Sequence, residues 1–284
     1  MSKKRFAVIG CPIGHTMSPF INNRLFALDN KEAEYEVYEV DLVENYIDFL
    51  KTLNGFNITI PHKKNIIPYL DFISEKAKLC GSVNTVRIQD NKLYGTSTDG
   101  IGMRLALENH GLSFKGSVLL LGNGGAARAV AFEAMDYCKK LTIAARDVNK
   151  AKSLCGELES LNRDIEIKYA ALDNIPNEKF DLLVNTTSVG MYPNPDFSPV
   201  NENVLKNTKA LFDAVYNPHD TLLIKKAESM GVYCVHGMEM LVNQAAAAHE
   251  FWLQDEFKPY LKDDIKKLTE DSVKEMNKHF YTDL

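Results

Sequence analysis

Residues 117–127 constrain this chain more than any other stretch. Residues 118–121 are an unbroken apolar run, Gly122-Asn123-Gly124-Gly125 follows at once, and an alanine-rich stretch opens at Ala126. An apolar run of strand length, then a glycine turn, then helix formers predicts a strand, a tight turn and a helix. Gly122 to Ala127 also matches G-x-G-x-x-A. In that pattern the first glycine allows the turn, the second lets backbone approach a pyrophosphate, and the small sixth residue lets helix and strand pack closely. Free N–H groups at the helix N-terminus complete an anion site. An ordinary glycine turn is the alternative, but a strand before and a helix after favour dinucleotide binding.

The next strand of such a unit is predicted over 141–145. It ends at Arg146-Asp147, with Lys150 one helical turn further on. Sites for NAD usually place an acidic residue about 20 residues beyond the glycines. Here a guanidinium comes first, and it offers paired donors to a ribose 2′-phosphate. Asp147 either caps the following helix or accepts from a free ribose hydroxyl, so the sequence favours NADP and leaves NAD open. Further strands are predicted over 165–169, 182–184, 210–213 and 232–235, with helical segments between several of them. That is a doubly wound α/β domain.

The N-terminal part predicts strands over 6–9, 35–40 and 56–60 and a helix over 43–52. A hairpin of 83–88 and 92–94 turns at Gln89-Asp90-Asn91. Ser18-Pro19 reads as a helix start with Ser18 as N-cap. A helix over 101–109 leads into the glycine-motif half. After Gly237, helices over 238–253 and 264–279 cannot extend the central sheet and are expected to pack back on the N-terminal part. The fold class is therefore α/β with two domains and a cleft between them. Residues 1–100 plus 237–284 form a substrate-binding and catalytic domain, and residues 101–236 a Rossmann domain for NADP.

Composition narrows the partners. The chain has 284 residues and a net charge of −5, which gives no basic field for nucleic acid. No apolar stretch approaches the roughly 20 residues of a membrane span. Lys3-Lys4-Arg5 precedes an apolar run too short for a secretory signal. Cys11, Cys80, Cys138, Cys155 and Cys234 are odd in number and lack C-x-x-C spacing, as expected of free thiols in a reducing cytoplasm. The seven histidines form no H-E-x-x-H pattern, so no metal site is expected. The expected partner is a small molecule; monomer and homodimer both stay open.

Polar residues gather at predicted strand ends. Asn57-Ile58-Thr59-Ile60-Pro61-His62-Lys63 ends one strand, with Asn57 and Thr59 on the same side. Asn84-Thr85 and Ser97-Thr98-Asp99-Gly100 border two others. Each also fits a solvated face or a helix cap. A lysine and an aspartate that meet make a proton donor with an organising partner, although spacing alone does not bring them together. Thr16 and Ser18 follow a glycine-bounded turn. Asn185-Thr186-Thr187-Ser188-Val189-Gly190 and Tyr216-Asn217-Pro218 end later strands, and Gln244 lies on a long helix.

Taken together these blocks resemble the shikimate dehydrogenase family, its shikimate/quinate branch included, from Phe6 to about Pro259. The blocks are Gly10–Pro19, the N-x-T-x-P-x-K of Asn57 to Lys63, Gly81-Ser82-Val83-Asn84-Thr85, Thr98-Asp99-Gly100 and Gly122 to Arg128. Asn185 to Gly190, Asp213 to Pro218 and Gly237 to Gln244 complete the order. The resemblance implies Lys63 and Asp99 as the catalytic pair. It implies a substrate pocket of Thr16, Ser18, Asn57, Thr59, Lys63, Asn84, Asp99, Tyr216 and Gln244. Gly122, Asn123, Gly124, Gly125 and Ala126 would hold the cofactor pyrophosphate, Arg146 and Lys150 its adenosine end, and Thr187, Gly237 and Met240 its nicotinamide side. The implied reaction is the reversible NADP-linked conversion of 3-dehydroshikimate to shikimate in aromatic amino-acid synthesis. Thr16 where serine is usual and Ser97 where asparagine is common keep quinate open as substrate. Ala145 and Asp147, at positions where asparagine and threonine are common, keep NAD open. Another ring dehydrogenase is the alternative enzyme. A non-catalytic metabolite sensor is the alternative of another class, against which Lys63 and Asp99 both stand.

Overall fold

The computed structural model describes residues 3–14 and 16–281. His15, within the first loop motif, lies outside the described residues. The chain divides into two compact units, Met1–Gly102 with Leu241–Leu284, and Met103–Met240.

The first unit holds β1 (Lys4–Gly10), α1 (Ser18–Leu28), β2 (Ala33–Glu39), α2 (Ile47–Leu50), β3 (Gly55–Ile58), β4 (Phe72–Ile73), α3 (Glu75–Cys80), β5 (Thr85–Gln89) and β6 (Lys92–Thr96). Its sheet runs β2-β1-β3-β5-β6-β4. β1 is parallel to β2 and β3, while β3 and β5 and then β5 and β6 pair antiparallel, so the sheet is mixed. Asp90 and Asn91 make the hairpin turn with φ of 52° and 60°, the left-handed pair that matches strand twist. Two details differ from the sequence reading. Residues 43–52 are a 3-10 turn followed by the short α2, entered at Leu42 without a side-chain cap. Ser18 is the first helical residue, not the N-cap. Met17 holds the cap position, and the hydroxyl of Thr16 takes the Ser18 N–H instead.

α4 (Asp99–Asn109) carries the chain into the second unit. There follow β7 (Ser117–Leu121), α5 (Gly125–Ala134), β8 (Lys140–Ala145), α6 (Val148–Glu159), β9 (Glu166–Ala171), β10 (Phe180–Asn185), α7 (Glu202–Lys206), β11 (Thr208–Asp213), α8 (Leu222–Ser229) and β12 (Tyr233–His236). Every strand pair is parallel and the order is β12-β11-β10-β7-β8-β9. This is the order of a doubly wound dinucleotide-binding sheet, with its reversal between β7 and β10. Alternate side chains of β7 serve opposite faces. Val118 and Leu120 join α5 and α6 in one core, while Leu119 and Leu121 join α7 and α8 in the other. Burial on both faces is why such strands read as continuous apolar runs.

α9 (Gly237–Leu253) returns the chain to the first unit, and α10 (Lys262–Tyr281) packs on α1 there. The units exchange after Gly102 and after Met240, inside helices rather than at 100 and 237. The first turn of α9 stays with the second unit because Gly237 packs against Ala214 and Met240 lies in that unit's core. No helix among the described residues is long and apolar enough to cross a membrane.

His249 anchors α9 in the first unit. It is fully buried, packs tilted against the Phe26 ring with centroids 4.1 Å apart, donates from Nε2 to Asn22 Oδ1 (3.1 Å) and accepts at Nδ1 from the Tyr260 hydroxyl (2.8 Å). Burial holds its pKa down to about 3, against about 6.5 in an unfolded chain. Below pH 6.5 the unfolded chain therefore binds a proton that the folded one refuses. The stability due to this residue is complete above pH 6.5 and falls as pH drops toward 3, by up to about 1.4 kcal/mol per pH unit. Urea unfolding at pH 7 and pH 4.5 should show a smaller loss for His249→Gln than for the natural chain. Equal losses would remove His249 as the cause.

Candidate active site

The first unit assembles a buried polar network at the ends of β3, β5 and β6. Lys63 lies in a turn pinned at two points. Its carbonyl accepts from Val83 N (2.9 Å), and the neighbouring His62 is buried with Nε2 donating to Val40 O (2.6 Å). Lys63 Nζ donates to Asp99 Oδ2 at 2.6 Å, with side-chain exposures of 20% and 8%. An ammonium has three donors, and the other two meet no partner among the described residues. Asn84 Nδ2 donates to Asp99 Oδ1 (2.8 Å), and shares its hydrogens with Thr98 Oγ1 (3.0 Å) and Gln244 Oε1 (3.0 Å). Asn84 Oδ1 accepts from Thr98 N (2.8 Å) and Thr85 Oγ1 (3.1 Å). The carboxylate and amide are thus held from both sides while the amine keeps free donors.

Other predicted pocket residues fall into two kinds. Asn57 is buried, and its amide is fully used: Oδ1 accepts from the Tyr35 hydroxyl (2.6 Å), and Nδ2 donates to Asn84 O (3.1 Å) and Thr85 Oγ1 (3.0 Å). Asn57 therefore braces Asn84 from behind. Thr16, Ser18 and Thr59 are half-buried. Thr16 Oγ1 donates to Ser18 Oγ (3.0 Å), and the Thr59 methyl fills the space where a Gly10 Cβ would stand, 2.5 Å away. Tyr35, Thr85 and Thr98 are network members to which the sequence reading gave no role. Thr85 and Thr98 stood in its polar blocks, whereas Tyr35 read only as a strand residue. Burial pushes the Tyr35 phenol well above its ordinary range, so it is a steady donor.

The second unit offers a cradle beside the strand reversal. Gly122 has φ +114°, which only glycine adopts freely, and a Cβ there would stand 2.8 Å from Thr186 Oγ1. Gly124 is the N-cap of α5, with no side-chain cap, and a Cβ built on it meets nothing within 4 Å. The first-turn N–H groups of α5 therefore open on free space of the kind a pyrophosphate takes. Gly125 and Ala126 are half-buried in that turn, and Ala127 is fully buried under it. Asn123 Nδ2 donates to Asp147 O at 3.4 Å. Asp147 is the N-cap of α6, accepting from Lys150 N (3.2 Å). Arg146 is exposed at the end of β8, and Lys150 is exposed 3.6 Å from Asp147. These residues fit a dinucleotide.

A second chain of contacts supports the far edge of this cradle. Thr187 donates from N (3.0 Å) and Oγ1 (2.7 Å) to Asn185 Oδ1, and Asn185 Nδ2 donates to Asp213 Oδ1 (2.9 Å). Asp213 also accepts from Val215 N (3.0 Å) and Thr221 Oγ1 (2.6 Å); burial raises its pKa to about 6 against these donors. Gly237 and Met240 are buried, and Tyr216 is half-buried, with its phenol pushed up by burial. Nearby, His219, Asp220 and His236 bring nitrogen and carboxylate atoms within 4.8 Å of one another, a cluster the linear sequence does not reveal.

The family model described as "Shikimate dehydrogenase substrate binding domain" matches residues 8–86. A shikimate dehydrogenase (NADP(+)) of Methanococcus maripaludis strain C6 is 40% identical over 258 residues, spanning 88% of this chain and 91% of its own. The chain belongs to the shikimate dehydrogenase family. A crystal structure of a shikimate dehydrogenase in complex with NADP+ matches with TM-score 0.87 and 35% identity, covering 95% of this chain and 96% of that one. The Listeria monocytogenes shikimate 5-dehydrogenase in complex with shikimate and NAD matches with TM-score 0.82 and 29% identity, covering 94% and 96%. Membership makes this chain an oxidoreductase of the shikimate dehydrogenase type, acting on a small molecule with a nicotinamide cofactor.

Proposed function

We propose that this enzyme carries out the reversible NADPH-dependent reduction of 3-dehydroshikimate to shikimate. The observation that carries the reading is the Lys63–Asp99–Asn84 constellation, with an amine held at 2.6 Å and two donors to spare. When bound, the reduced cofactor supplies a hydride to the ring carbonyl carbon. Negative charge grows on the carbonyl oxygen, where Lys63 Nζ donates and delivers a proton. Asp99 holds the amine and Asn84 holds Asp99. In the oxidising direction the neutral amine takes the proton from the hydroxyl. Thr16 and Ser18 offer hydroxyls to the substrate's carboxylate and hydroxyls, and Gln244 stands beside Asn84 in the same unit. On the cofactor, the first turn of α5 binds the pyrophosphate and Thr187 lies toward the nicotinamide. The five free cysteines support a cytoplasmic setting.

Steady-state kinetics with shikimate and quinate, each with NADP and with NAD, test this reading. The highest kcat/KM is expected for shikimate with NADP. A preference for quinate would move the assignment to the other branch and point to Thr16. Tight binding without turnover would favour a sensor.

NADP is preferred because Arg146 stands exposed at the end of β8 to meet a 2′-phosphate, while Asp147 Oδ1 is engaged in the α6 cap. A charge-assisted hydrogen bond is worth roughly 1.5–3 kcal/mol, and exposure puts Arg146 at the low end. Arg146→Ala should raise KM for NADP by about tenfold and leave KM for NAD nearly unchanged. Equal changes for both cofactors would count against the assignment.

A further inference from the structure

The histidine–aspartate cluster of the second unit plays no part in the chemistry above. His219 and Asp220 lie in the loop between β11 and α8, and His236 is the last residue of β12. The parallel pairing of β11 with β12 places Asp213 opposite His236. Both histidines are therefore delivered to the same end of the sheet. His236 Nε2 is 3.2 Å from Asp220 Oδ1, and His219 Nε2 is 4.0 Å from that same oxygen. The two imidazoles stack with centroids 4.2 Å apart and planes 14° from parallel. His219 Nδ1 is buried with no hydrogen-bond partner. Asp220 is the most exposed of the three, with 58% of its side chain accessible, so the cluster opens to solvent.

We propose that His219, Asp220 and His236 form a binding site for a divalent transition-metal ion of the zinc class, held by two imidazole nitrogens and one carboxylate oxygen. Two nitrogen donors and one oxygen donor suit zinc or nickel and disfavour magnesium or calcium, which take oxygen donors. Three protein ligands leave a fourth position for water. Donors 2.0–2.1 Å from a tetrahedral ion lie roughly 3.3 Å apart. The present separations of up to 4.8 Å thus close by at most roughly 1.5 Å. Stacked rings aim their lone pairs in parallel, so one imidazole rotates about its Cβ–Cγ bond to converge on the ion. Both histidines are partly exposed, with 29% and 21% of their side chains accessible.

The ion would tie the loop that begins beside Tyr216 to the strand that runs into Gly237. Both are pocket or cofactor residues in the reading above, on which this regulatory consequence rests. Binding should therefore slow turnover, and removal should restore it.

The test uses the full-length, chelator-treated protein, titrated with Zn²⁺ against a chromophoric chelator. One equivalent is expected to bind in a manner that a hundredfold excess of Mg²⁺ does not displace. The double variant His219→Gln/His236→Gln should bind at least tenfold more weakly while keeping all five cysteines, so thiol binding appears equally in both proteins. Asp220→Asn, a change at an exposed position, provides a second weakened variant should the double one not fold. Unchanged Zn²⁺ affinity in the variants, or displacement by Mg²⁺, would overturn the proposal. In the activity arm, Zn²⁺ should slow the natural enzyme and not the double variant. Inhibition equal in both would overturn the regulatory part. A protein that binds Zn²⁺ at this site yet shows no dehydrogenase activity would sink the functional reading and leave the metal site standing.

Discussion

Lys63→Ala is expected to lower kcat by roughly 10²–10⁴-fold, the usual loss for a general acid–base group, while KM for the ring substrate shifts only a few-fold. The asymmetry follows from where the charge develops. In the ground state the carbonyl oxygen is neutral and Lys63 adds little to binding. In the transition state that oxygen approaches an alkoxide, and the ammonium meets it at full strength. The natural structure already aims the amine by its 2.6 Å contact to Asp99 and by the pinned turn of His62 and Lys63. Removing the amine leaves the Asp99 carboxylate with Asn84 as its remaining side-chain partner among the described residues. Lys63→Gln keeps a neutral donor there and should fold like the natural chain, yet lose a similar factor in kcat. A near-normal kcat with a raised KM in both variants would make Lys63 a binding residue and require another proton donor.

Gly102→Ala should destabilise the protein and blunt its activity, against the usual direction for that substitution. Within a helix, alanine is favoured over glycine by about 1 kcal/mol. Gly102 lies inside α4, and a Cβ there would stand 2.6 Å from Gln244 Cβ, 2.7 Å from its N and 2.9 Å from its Cα. Two of those atoms are backbone of α9 and cannot swing aside. Overpacking of this kind costs typically about 1–3 kcal/mol, and contact with backbone places Gly102 at or above the upper end. The net loss of about 2 kcal/mol or more corresponds to a melting temperature lower by at least roughly 4–8 °C. Displacement of Gln244 also disturbs its 3.0 Å contact with Asn84, the residue that holds Asp99. kcat should therefore fall along with stability. A melting temperature above that of the natural chain would show that the two helices separate at no cost.

The two units were not equally legible in the sequence, for a physical reason. Strands β7, β8, β10 and β11 are buried on both faces and announce themselves as apolar runs. β4 has two residues, too few for any periodicity, and owes its existence to pairing with β6. α3 went unread although Ser74 caps it and Gly81 ends it in the left-handed region. Its six residues carry too short a pattern. Ser18 looked like a cap because Ser-Pro usually is one; the competing hydroxyl at Thr16 was in view, but its geometry was not. The glycine cradle needed only local order and was readable at once. Lys63 and Asp99, 36 residues apart, meet through a sheet order that no spacing rule supplies, and only resemblance to a family joined them. Tyr35 reaches Asn57 across β1, and His219 reaches His236 through the pairing of β11 with β12. Contacts of that kind belong to tertiary structure alone.

The first unit is built from two stretches of chain separated by the whole of the second. On the ribosome this imposes a schedule. The segment up to Gly102, which carries Lys63 and Asp99, leaves the exit tunnel early. It then waits for α9, whose Trp252 donates to Val86 O (2.9 Å) and packs with Phe6 and Val8 under β1. At 5–20 residues per second, that wait is on the order of ten seconds. The intervening unit is contiguous and is free to fold during it. For that interval the nascent chain shows an uncovered apolar sheet face, the surface to which a trigger-type chaperone or a protease would be drawn.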